Sequence, residues 1–398
     1  MASSDAAPVV QIARRSDRGV NANKWRHLRP TTAQIYVENR CNLKCEHCYE
    51  TEHSHPGYRY ALSVADYSKI FAELADLGVM YLTITGGEIF LRKDIFDILS
   101  IAKKHRFSTC LFTSGTLIDE RKADRIANLS VESVEISLYS HQPEVHDSFT
   151  QIPGSHERSL NALRLLNERG VRTKIKSNLM TFNVDFIDEL IEMARSVGAD
   201  YSFDPTVKPR MDGDRRPLQY AVKPEQIRRL VLNRPDLYTA FLKFRPEDLC
   251  TGQQSLLEAD SVLCGAARSA LSISADGGVY ACGFFAEPGG SLKTQSLTAI
   301  WLQSMQFDRV RETTFDKMTS CSSCELKSTC GPCMAYAEIE HNDHRECATS
   351  SRQLAEAVSL QVKRKTRMNE KLSVAKKLPI VGDLSVPRPP VKGSISTE

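Results

Sequence analysis

Between residues 31 and 209, short apolar runs rich in β-branched residues alternate with longer stretches whose apolar positions recur at helical spacing. A short run of this kind is typical of a buried strand, and each longer stretch has the period of an amphipathic helix. The predicted strands are Ala33–Glu38, Tyr81–Gly86, Thr109–Ser114, Val134–Ser140, Arg172–Met180 and Tyr201–Val207. The predicted helices are Ser63–Leu77, Ile95–Lys104, Glu120–Asn128, His156–Glu168 and Phe186–Val197.

This alternation predicts a parallel sheet, because parallel neighbours must be joined by a crossover connection, which is usually a helix. Six strands with helices between them predict an α/β fold containing a partial (β/α)6 TIM-like barrel. In such barrels the working residues lie at the C-terminal ends of the strands. We therefore expect chemistry in the segments that directly follow the strands.

Outside this repeat the sequence changes character. Polar, proline-containing segments follow it, and cysteines then dominate a long stretch of weak periodicity. The last part has few apolar residues and is expected to be disordered, since it cannot bury a core. The predicted division is a basic N-terminal segment (1–30), the barrel (31–209), a bridge (210–249), a cysteine-rich domain (250–350), a C-terminal helix (351–372) and a disordered tail (373–398).

The composition argues against two classes of partner. The chain carries 52 Lys and Arg against 49 Asp and Glu, and a net charge of +3 gives no reason to expect nucleic acid. No apolar run is long enough to span a bilayer and the first residues lack a signal-peptide pattern, so we expect no membrane association and a cytoplasmic location. There, the clustered cysteines are expected to bind metal rather than form disulfides.

Three cysteines directly after the first predicted strand form the most informative motif. Cys41, Cys45 and Cys48 lie in CNLKCEHCYE with C-x₃-C-x₂-C spacing. Three thiolates at this spacing can bind three irons of a [4Fe–4S] cluster and leave the fourth iron open to an exchangeable molecule. A zinc site is the alternative, since His47 could supply a fourth ligand.

The motif resembles the cluster motif of radical S-adenosylmethionine (SAM) enzymes. The resemblance implies that SAM occupies the open iron, that its reductive cleavage gives a 5′-deoxyadenosyl radical, and that a donor such as flavodoxin or ferredoxin supplies the electron. Gly86, Gly87 and Glu88 follow the second predicted strand and resemble the family's GGE motif, which holds the amino group of SAM. Glycines permit close approach of the backbone, and a carboxylate can accept from an ammonium group.

Further polar side chains at the later strand ends are candidates for SAM or substrate contacts. The family commonly places a serine on the fourth strand for SAM, so Ser137 is a candidate for the ribose, although its hydroxyl could equally bond to backbone. The other candidate SAM contacts are Thr113, Ser114, Lys176 and Asn178. Asp204 and Arg210 could contact either ligand, with an ordinary turn as the alternative for Asp204.

A second array of cysteines lies in the C-terminal part. Cys264, Gly277 and Cys282 have C-x₁₂-G-x₄-C spacing. Five more follow, the first four as C-x₂-C-x₅-C-x₂-C: Cys321, Cys324, Cys330, Cys333 and Cys347. A zinc ribbon could use the four close cysteines but would leave the other three without a role. The layout resembles the SPASM extension of radical SAM proteins, which implies two auxiliary [4Fe–4S] clusters.

The family pattern implies how these cysteines divide between the clusters. One set is Cys321, Cys324, Cys330 and Cys347, and most of the other is Cys264, Cys282 and Cys333. Cys330 and Cys333 are separated by two residues, where the family usually has three. Cys250 is the nearest candidate for the remaining ligand, or alternatively a hydrogen-atom donor to a carbon radical. Cys110 lies among apolar strand residues and is interpreted as core.

The resemblance extends from about residue 31 to residue 347 and implies an oxidoreductase. The leading hypothesis is a maturase that oxidatively modifies a residue of a ribosomally made precursor peptide, forming a crosslink, thioether or similar product. Only forty residues precede Cys41, so we expect a separate peptide-recognition protein. The alternatives are a sulfatase-type maturase that forms formylglycine, disfavoured by Gly283 where that group has Asp, and a small-molecule or tetrapyrrole enzyme.

Overall fold

The computed structural model describes residues 27–50, 62–234, 237 and 262–377. In this part of the chain, one nine-stranded sheet has the order β6–β5–β4–β3–β2–β1–β7–β8–β9. The strands are β1 Thr32–Glu38, β2 Tyr81–Gly86, β3 Ser108–Thr113, β4 Ser133–Ser137, β5 Thr173–Asn178, β6 Asp200–Asp204, β7 Ala270–Ile273, β8 Gly278–Tyr280 and β9 Gly290–Ser291. The first six are parallel neighbours, which confirms the predicted α/β fold with a partial barrel.

The described part of the chain contains the helices that connect the six parallel barrel strands and further helices that follow them. They are α1 Val64–Leu77, α2 Ile95–Lys104, α3 Glu120–Leu129, α4 Pro143–Thr150, α5 Ser155–Glu168, α6 Ile187–Ser196, α7 Pro224–Asn233, α8 Leu297–Gln303, α9 Met305–Glu312, α10 Met334–His341 and α11 Thr349–Lys377. Ser63 caps α1, since its hydroxyl accepts from the Asp66 amide and the Asp66 carboxylate accepts from the Ser63 amide. The apolar period does not predict α4, because its eight residues are too few to display one.

The barrel strands have one apolar face and one polar face. On the apolar face, Ile35, Ile84 and Ile136 are fully buried in a large apolar core. Successive side chains of a strand point to opposite faces, so the residues between them, such as Thr83 and Glu135, face the interior of the partial barrel. The polar side chains of neighbouring strands therefore converge on one interior space.

The C-terminal part of the chain joins the same sheet. β7 pairs in parallel with β1, with Thr32 opposite Ala270, and then forms an antiparallel pair with β8. Leu271 of β7 and Trp301 of α8 belong to the same core as the barrel strands. α11 packs beside α7 in a second apolar cluster, to which Val358 contributes a fully buried side chain.

Some predicted boundaries differ from the structure. α11 includes residues 373–377, so the helix continues into the predicted tail. The predicted bridge contains α7 and a short 3-10 helix, Arg216–Tyr220. The remaining tail, the predicted N-terminal segment up to residue 26, and Cys250 lie outside the described residues. Among the helices that the structure describes, none combines the length and apolar character needed to cross a bilayer.

Candidate functional site

The three cysteines of the C-x₃-C-x₂-C motif lie in the irregular segment that leaves β1. The Cys48 amide donates to the Cys45 carbonyl at 3.1 Å, which makes a turn within the motif. The Lys44 amide donates to the Thr150 carbonyl at 3.0 Å, at the end of α4. The loop is therefore continuous with the sheet at its start and anchored to α4 in its middle.

The donor set of this loop fits an iron–sulfur cluster. Burial raises the pKa of Cys41 to about 11 and that of Cys48 to about 12, and burial followed by the charges of the other two thiols raises the pKa of Cys45. Three neighbouring buried thiolates are unfavourable unless a cation compensates them. Across the described ranges, no three His, Cys, Asp or Glu side chains are arranged to bind one metal ion together. An iron–sulfur cluster does not require that arrangement, because each cysteine binds a different iron.

A cavity of about 440 Å³ adjoins this loop at the C-terminal ends of the barrel strands. The structure brings most of the predicted SAM-site residues around it: Cys41, Cys45, Cys48, Gly86, Gly87, Thr113, Ser114, Ser137, Lys176 and Asn178. Asp204 also lines the cavity, and its carboxylate accepts from the Thr206 amide in the predicted turn. Arg210 does not line it, and lies 3.8 Å from the carboxylate of Asp214.

The glycine pair brings the end of β2 into direct contact with the start of the cysteine loop. The Gly87 amide donates to the Glu38 carbonyl at 2.7 Å, and the Glu88 amide donates to the Arg40 carbonyl at 2.8 Å. A Cβ on Gly86 would lie 2.1 Å from the Glu38 oxygen, and one on Gly87 would lie 2.3 Å from the Arg40 oxygen. Only glycine permits this approach, because both obstacles are backbone atoms.

Glu88 has partners within the protein rather than a position on the cavity wall. Its fully buried carboxylate accepts from Thr113 Oγ1 at 2.7 Å, Ser114 Oγ at 2.6 Å and the Ser114 amide at 2.8 Å. The Phe90 amide donates to the same carboxylate at 3.1 Å. Glu88 therefore ties the end of β2 to the end of β3, and the backbone of Gly86 and Gly87 is the part of this motif that borders the cavity.

Lys176 reaches the cavity from β5 and is held by two neighbours. Its Nζ lies 3.8 Å from the Glu135 carboxylate and 3.5 Å from the centroid of the Phe112 ring. Burial lowers the pKa of Lys176. An ammonium group has three donors, so Lys176 retains capacity for a ligand acceptor. Asn178, on the same strand, donates from Nδ2 to the Thr206 carbonyl at 3.1 Å.

The structure adds a buried cation that sequence reasoning missed. Lys208 lines the cavity beside Tyr49 and Phe284, and burial lowers the pKa of Lys208 to about 8. Lys208 lies in the polar segment after β6, between Asp204 and Arg210, two residues that the sequence analysis names as candidate ligand contacts. Its position after a strand was the available signal, but the sequence alone does not distinguish it from neighbouring polar residues.

The C-terminal cysteines fall into two groups. One group lines a second cavity of about 490 Å³ and consists of Cys321, Cys324, Cys330 and Cys347. The other consists of Cys264, Cys282 and Cys333, where burial, followed by the charges of Cys333 and Cys264, raises the pKa of Cys282 to about 12. None of the described cysteines forms a disulfide. Each group is a compact set of thiols, which suits a cluster.

Cys110 is not part of the apolar core that its neighbours in sequence predict. It is partly exposed and lines a polar cavity of about 290 Å³ with Glu135 and Lys174. Ser133 Oγ donates to its Sγ at 3.2 Å. The next residue, Leu111, is fully buried on the opposite face of β3, so alternation turns Cys110 toward the barrel interior.

Comparison with known families assigns both parts of the chain. Residues 35–197 match the model of the radical SAM superfamily, and residues 264–325 match that of SPASM, an iron-sulfur cluster-binding domain. The chain belongs to the radical SAM superfamily. It is a radical SAM enzyme with a SPASM domain, and its cofactors are [4Fe–4S] clusters and SAM.

Curated relatives of this radical SAM enzyme carry names that indicate different activities. An AdoMet-dependent heme synthase of Oleidesulfovibrio alaskensis is 24% identical over 331 residues, covering 77% of this chain and 83% of the relative. The mycofactocin maturase MftC of Mycobacterium tuberculosis is 28% identical over 345 residues, covering 83% of both chains. The subtilosin biosynthesis protein AlbA of Bacillus subtilis is 30% identical over 194 residues, covering 48% of this chain and 43% of AlbA.

Solved structures share the fold of this enzyme. The SAM-bound structure of anSMEcpe superposes with a TM-score of 0.63 at 16% identity, covering 88% of this chain and 96% of that one. Streptococcus suis SuiB, bound to its precursor peptide SuiA, superposes with a TM-score of 0.57 at 18% identity, covering 81% of this chain and 75% of that one. Both comparisons support the fold described above.

Proposed function

We propose that this enzyme oxidatively modifies a residue of a ribosomally made peptide, forming a crosslink, a thioether or a similar product. The observation that carries the proposal is the similarity to the mycofactocin maturase across 83% of both chains. A second peptide-modifying relative, the PqqA peptide cyclase of Rhizobium meliloti, is 26% identical over 317 residues and covers 76% of this chain. The substrate is therefore expected to be a precursor peptide.

The residues around the first cavity divide into those that hold the cluster and those that hold SAM. Cys41, Cys45 and Cys48 would bind three irons of a [4Fe–4S] cluster, which when bound supplies the electron that cleaves SAM. The backbone of Gly86 and Gly87 borders the cavity and would meet the amino group of SAM. Ser137, Lys176 and Asn178 line the same space and are assigned to polar atoms of SAM.

The two groups of C-terminal cysteines are assigned to auxiliary clusters. Cys321, Cys324, Cys330 and Cys347 would hold one cluster, and Cys264, Cys282 and Cys333 would hold most of the other. An oxidative modification removes a second electron from the substrate, and a nearby cluster supplies an acceptor for it. Cys250, outside the described residues, stays the candidate for the remaining ligand or for a hydrogen-atom donor.

The residue after Cys282 argues against the alternative function, formation of formylglycine in a substrate protein. Gly283 stands where sulfatase-type maturases have the Asp that serves as base. A Cβ on Gly283 would lie 2.7 Å from Gln34 Oε1 and 2.8 Å from the Tyr36 hydroxyl. A side chain at this position would require both neighbours to move, so the likeness in fold to anSMEcpe does not extend to this base.

A tetrapyrrole enzyme is the second candidate function. Three heme synthases match 77% of this chain at 23–24% identity, including one from Methanosarcina barkeri. Their coverage is close to that of the mycofactocin maturase, and their identity is lower. The two candidates predict different substrates for the same SAM chemistry, and one assay separates them.

The deciding assay uses the anaerobically reconstituted enzyme with SAM and a reductant, either dithionite or a flavodoxin or ferredoxin system. It is incubated separately with precursor peptides encoded beside its gene, with and without any small peptide-binding protein encoded there, and with an iron tetrapyrrole carrying propionates. We expect 5′-deoxyadenosine and a peptide product lighter by two hydrogen atoms. Decarboxylation of the tetrapyrrole with every peptide unchanged would overturn the proposal. The Cys41→Ala/Cys45→Ala/Cys48→Ala protein is the control and should form no 5′-deoxyadenosine.

A further inference from the structure

Lys208 is enclosed by three aromatic rings at the edge of the SAM cavity. Its Nζ lies 3.1 Å from the centroid of the Phe284 ring, 5.0 Å from that of Tyr49 and 5.4 Å from that of Tyr336. The rings also contact one another, with centroids 6.1 Å apart for Tyr49 and Phe284, and 5.6 Å apart for Phe284 and Tyr336. We call Lys208 and these three rings the lysine cage.

Each ring of the lysine cage is close in sequence to a cluster cysteine. Tyr49 directly follows Cys48, the last cysteine of the SAM-cluster motif. Phe284 follows Cys282 by two residues. Tyr336 follows Cys333 by three residues, and because Cys333 caps the N-terminus of α10, the two residues are about one helical turn apart. The cage therefore places an ammonium group between the SAM-cluster loop and an auxiliary cysteine group.

The negative groups that act on Lys208 are one carboxylate and two auxiliary cysteines. Asp204 is its main electrostatic partner, followed by Cys333, with Cys282 contributing further, and Glu50 also feels its charge. Across the described ranges, no carboxylate lies within 4 Å of Nζ, and no hydrogen bond from it is formed. A buried cation has a strong effect on neighbouring charges, since little water screens it.

We propose that Lys208 raises the reduction potential of the auxiliary cluster assigned to Cys264, Cys282 and Cys333. Reduction adds one negative charge to a cluster, and a fixed positive charge nearby stabilises the reduced form more than the oxidised form. The lysine cage holds that charge in place by cation–π contact on three sides. The inference requires the auxiliary cluster of the SPASM domain but no particular substrate. Only the benefit of a raised potential to an oxidative reaction rests on the proposed function.

The test is a redox titration that needs no substrate. The Cys41→Ala/Cys45→Ala/Cys48→Ala protein is reconstituted so that it carries only auxiliary clusters, and their potentials are read by electron paramagnetic resonance at pH 7. Lys208→Met and Lys208→Gln remove the charge, and Lys208→Arg retains it. We expect the neutral variants to make reduction of one cluster at least tenfold less favourable, which is 59 mV for one electron. Arginine should restore most of the effect.

Two controls distinguish a shift in the potential of one auxiliary cluster from a general change in structure. The cluster assigned to Cys321, Cys324, Cys330 and Cys347 should keep its potential, because these cysteines line the second cavity, whereas Lys208 lines the first. Lys174→Met is the matched variant, since Lys174 is another barrel lysine, held 2.9 Å from the Glu135 carboxylate, and lines a different cavity. It should leave both potentials unchanged.

Three outcomes would overturn the proposal. Unchanged potentials in both neutral variants would show that Lys208 does not tune a cluster, and equal shifts of both clusters would indicate a general change in structure. Loss of iron in both neutral variants, with Lys208→Arg also failing to retain it, would make Lys208 a packing residue. Because no peptide is present, failure here is distinct from failure of the proposed peptide substrate.

Discussion

At the scale of single residues, Glu88 explains how two loops of the SAM site keep their positions. Its carboxylate accepts hydrogen bonds from Thr113, Ser114 and Phe90 while its amide is bonded to Arg40. The sequence motif predicted that Glu88 belongs to the site, but not its partners. Thr113 is 25 residues further along the chain, and only the pairing of β2 with β3 brings its hydroxyl to the carboxylate.

Replacing Glu88 with glutamine should weaken both the fold and SAM binding. The amide nitrogen of Gln cannot accept from Thr113, Ser114 or Phe90, so at least one buried donor loses its acceptor. We expect the free energy of unfolding of the metal-free protein to fall by about 1–3 kcal/mol. Urea denaturation measures this change, and equilibrium dialysis measures SAM affinity of the reconstituted protein. Unchanged stability and SAM affinity would contradict the positioning role of Glu88.

At the scale of secondary-structure elements, the long periodic segments could be predicted and the short ones could not. Each barrel strand and its main helix follow from the alternation of apolar runs, and the bounds differ by a few residues. α4 is different, because its stability comes from contacts that the sequence does not display. His146 is fully buried on α4, and its Nδ1 accepts from the Tyr139 amide at 3.2 Å.

Burial of His146 predicts a loss of stability in acid. Burial lowers the pKa of His146 to about 4, while an unfolded histidine has a pKa near 6.5. Between these pH values the unfolded chain binds more protons than the folded protein, so the free energy of unfolding falls as the pH drops from about 6.5 to about 4. The contribution is fully present above pH 6.5 and amounts to about 3 kcal/mol at most.

The measurement compares urea denaturation of the metal-free wild type and of His146→Asn at pH 7 and pH 5. Asparagine offers an oxygen in place of Nδ1 for the Tyr139 amide but does not titrate. The variant should lose less stability than the wild type over this interval. His47 and His156, whose pKa values burial also lowers, are common to both proteins. An identical pH dependence would show that His146 is not a source of acid sensitivity.

At the scale of the whole molecule, the resemblance to the SPASM pattern implied two sets of C-terminal cysteines. In the described residues, Cys321, Cys324, Cys330 and Cys347 line one cavity, and the charges of Cys333 and Cys264 act on Cys282. The strand–helix alternation likewise predicted the barrel and the position of the cysteine loop. The sequence did not predict that β7 would extend the barrel sheet beside β1, because a four-residue strand carries too weak a pattern. Lys208 was missed for a different reason: the rings that enclose it come from three segments that are distant in sequence.

Iron content tests whether the chain holds three clusters, one at the loop of residues 41–48 and one at each of the two C-terminal cysteine groups. The reconstituted Cys41→Ala/Cys45→Ala/Cys48→Ala protein should contain about eight irons and a similar amount of sulfide per chain, because two [4Fe–4S] clusters remain. Adding Cys321→Ala and Cys324→Ala should reduce the content to about four. Colorimetric iron and sulfide assays measure both. About four irons already in the first variant would leave a single auxiliary cluster and favour the tetrapyrrole candidate.

The pairing of β7 with β1 has a consequence for how the chain folds during synthesis. The two strands lie side by side, yet contacts such as that between Thr31 and Ser269 join positions 238 residues apart. At ribosomal rates of about 5–20 residues per second, this edge of β1 waits roughly 10–50 s for its partner. Over that interval β1 presents an unpaired strand edge. Pairing with β7 thus closes an edge of β1 that could otherwise pair with another chain.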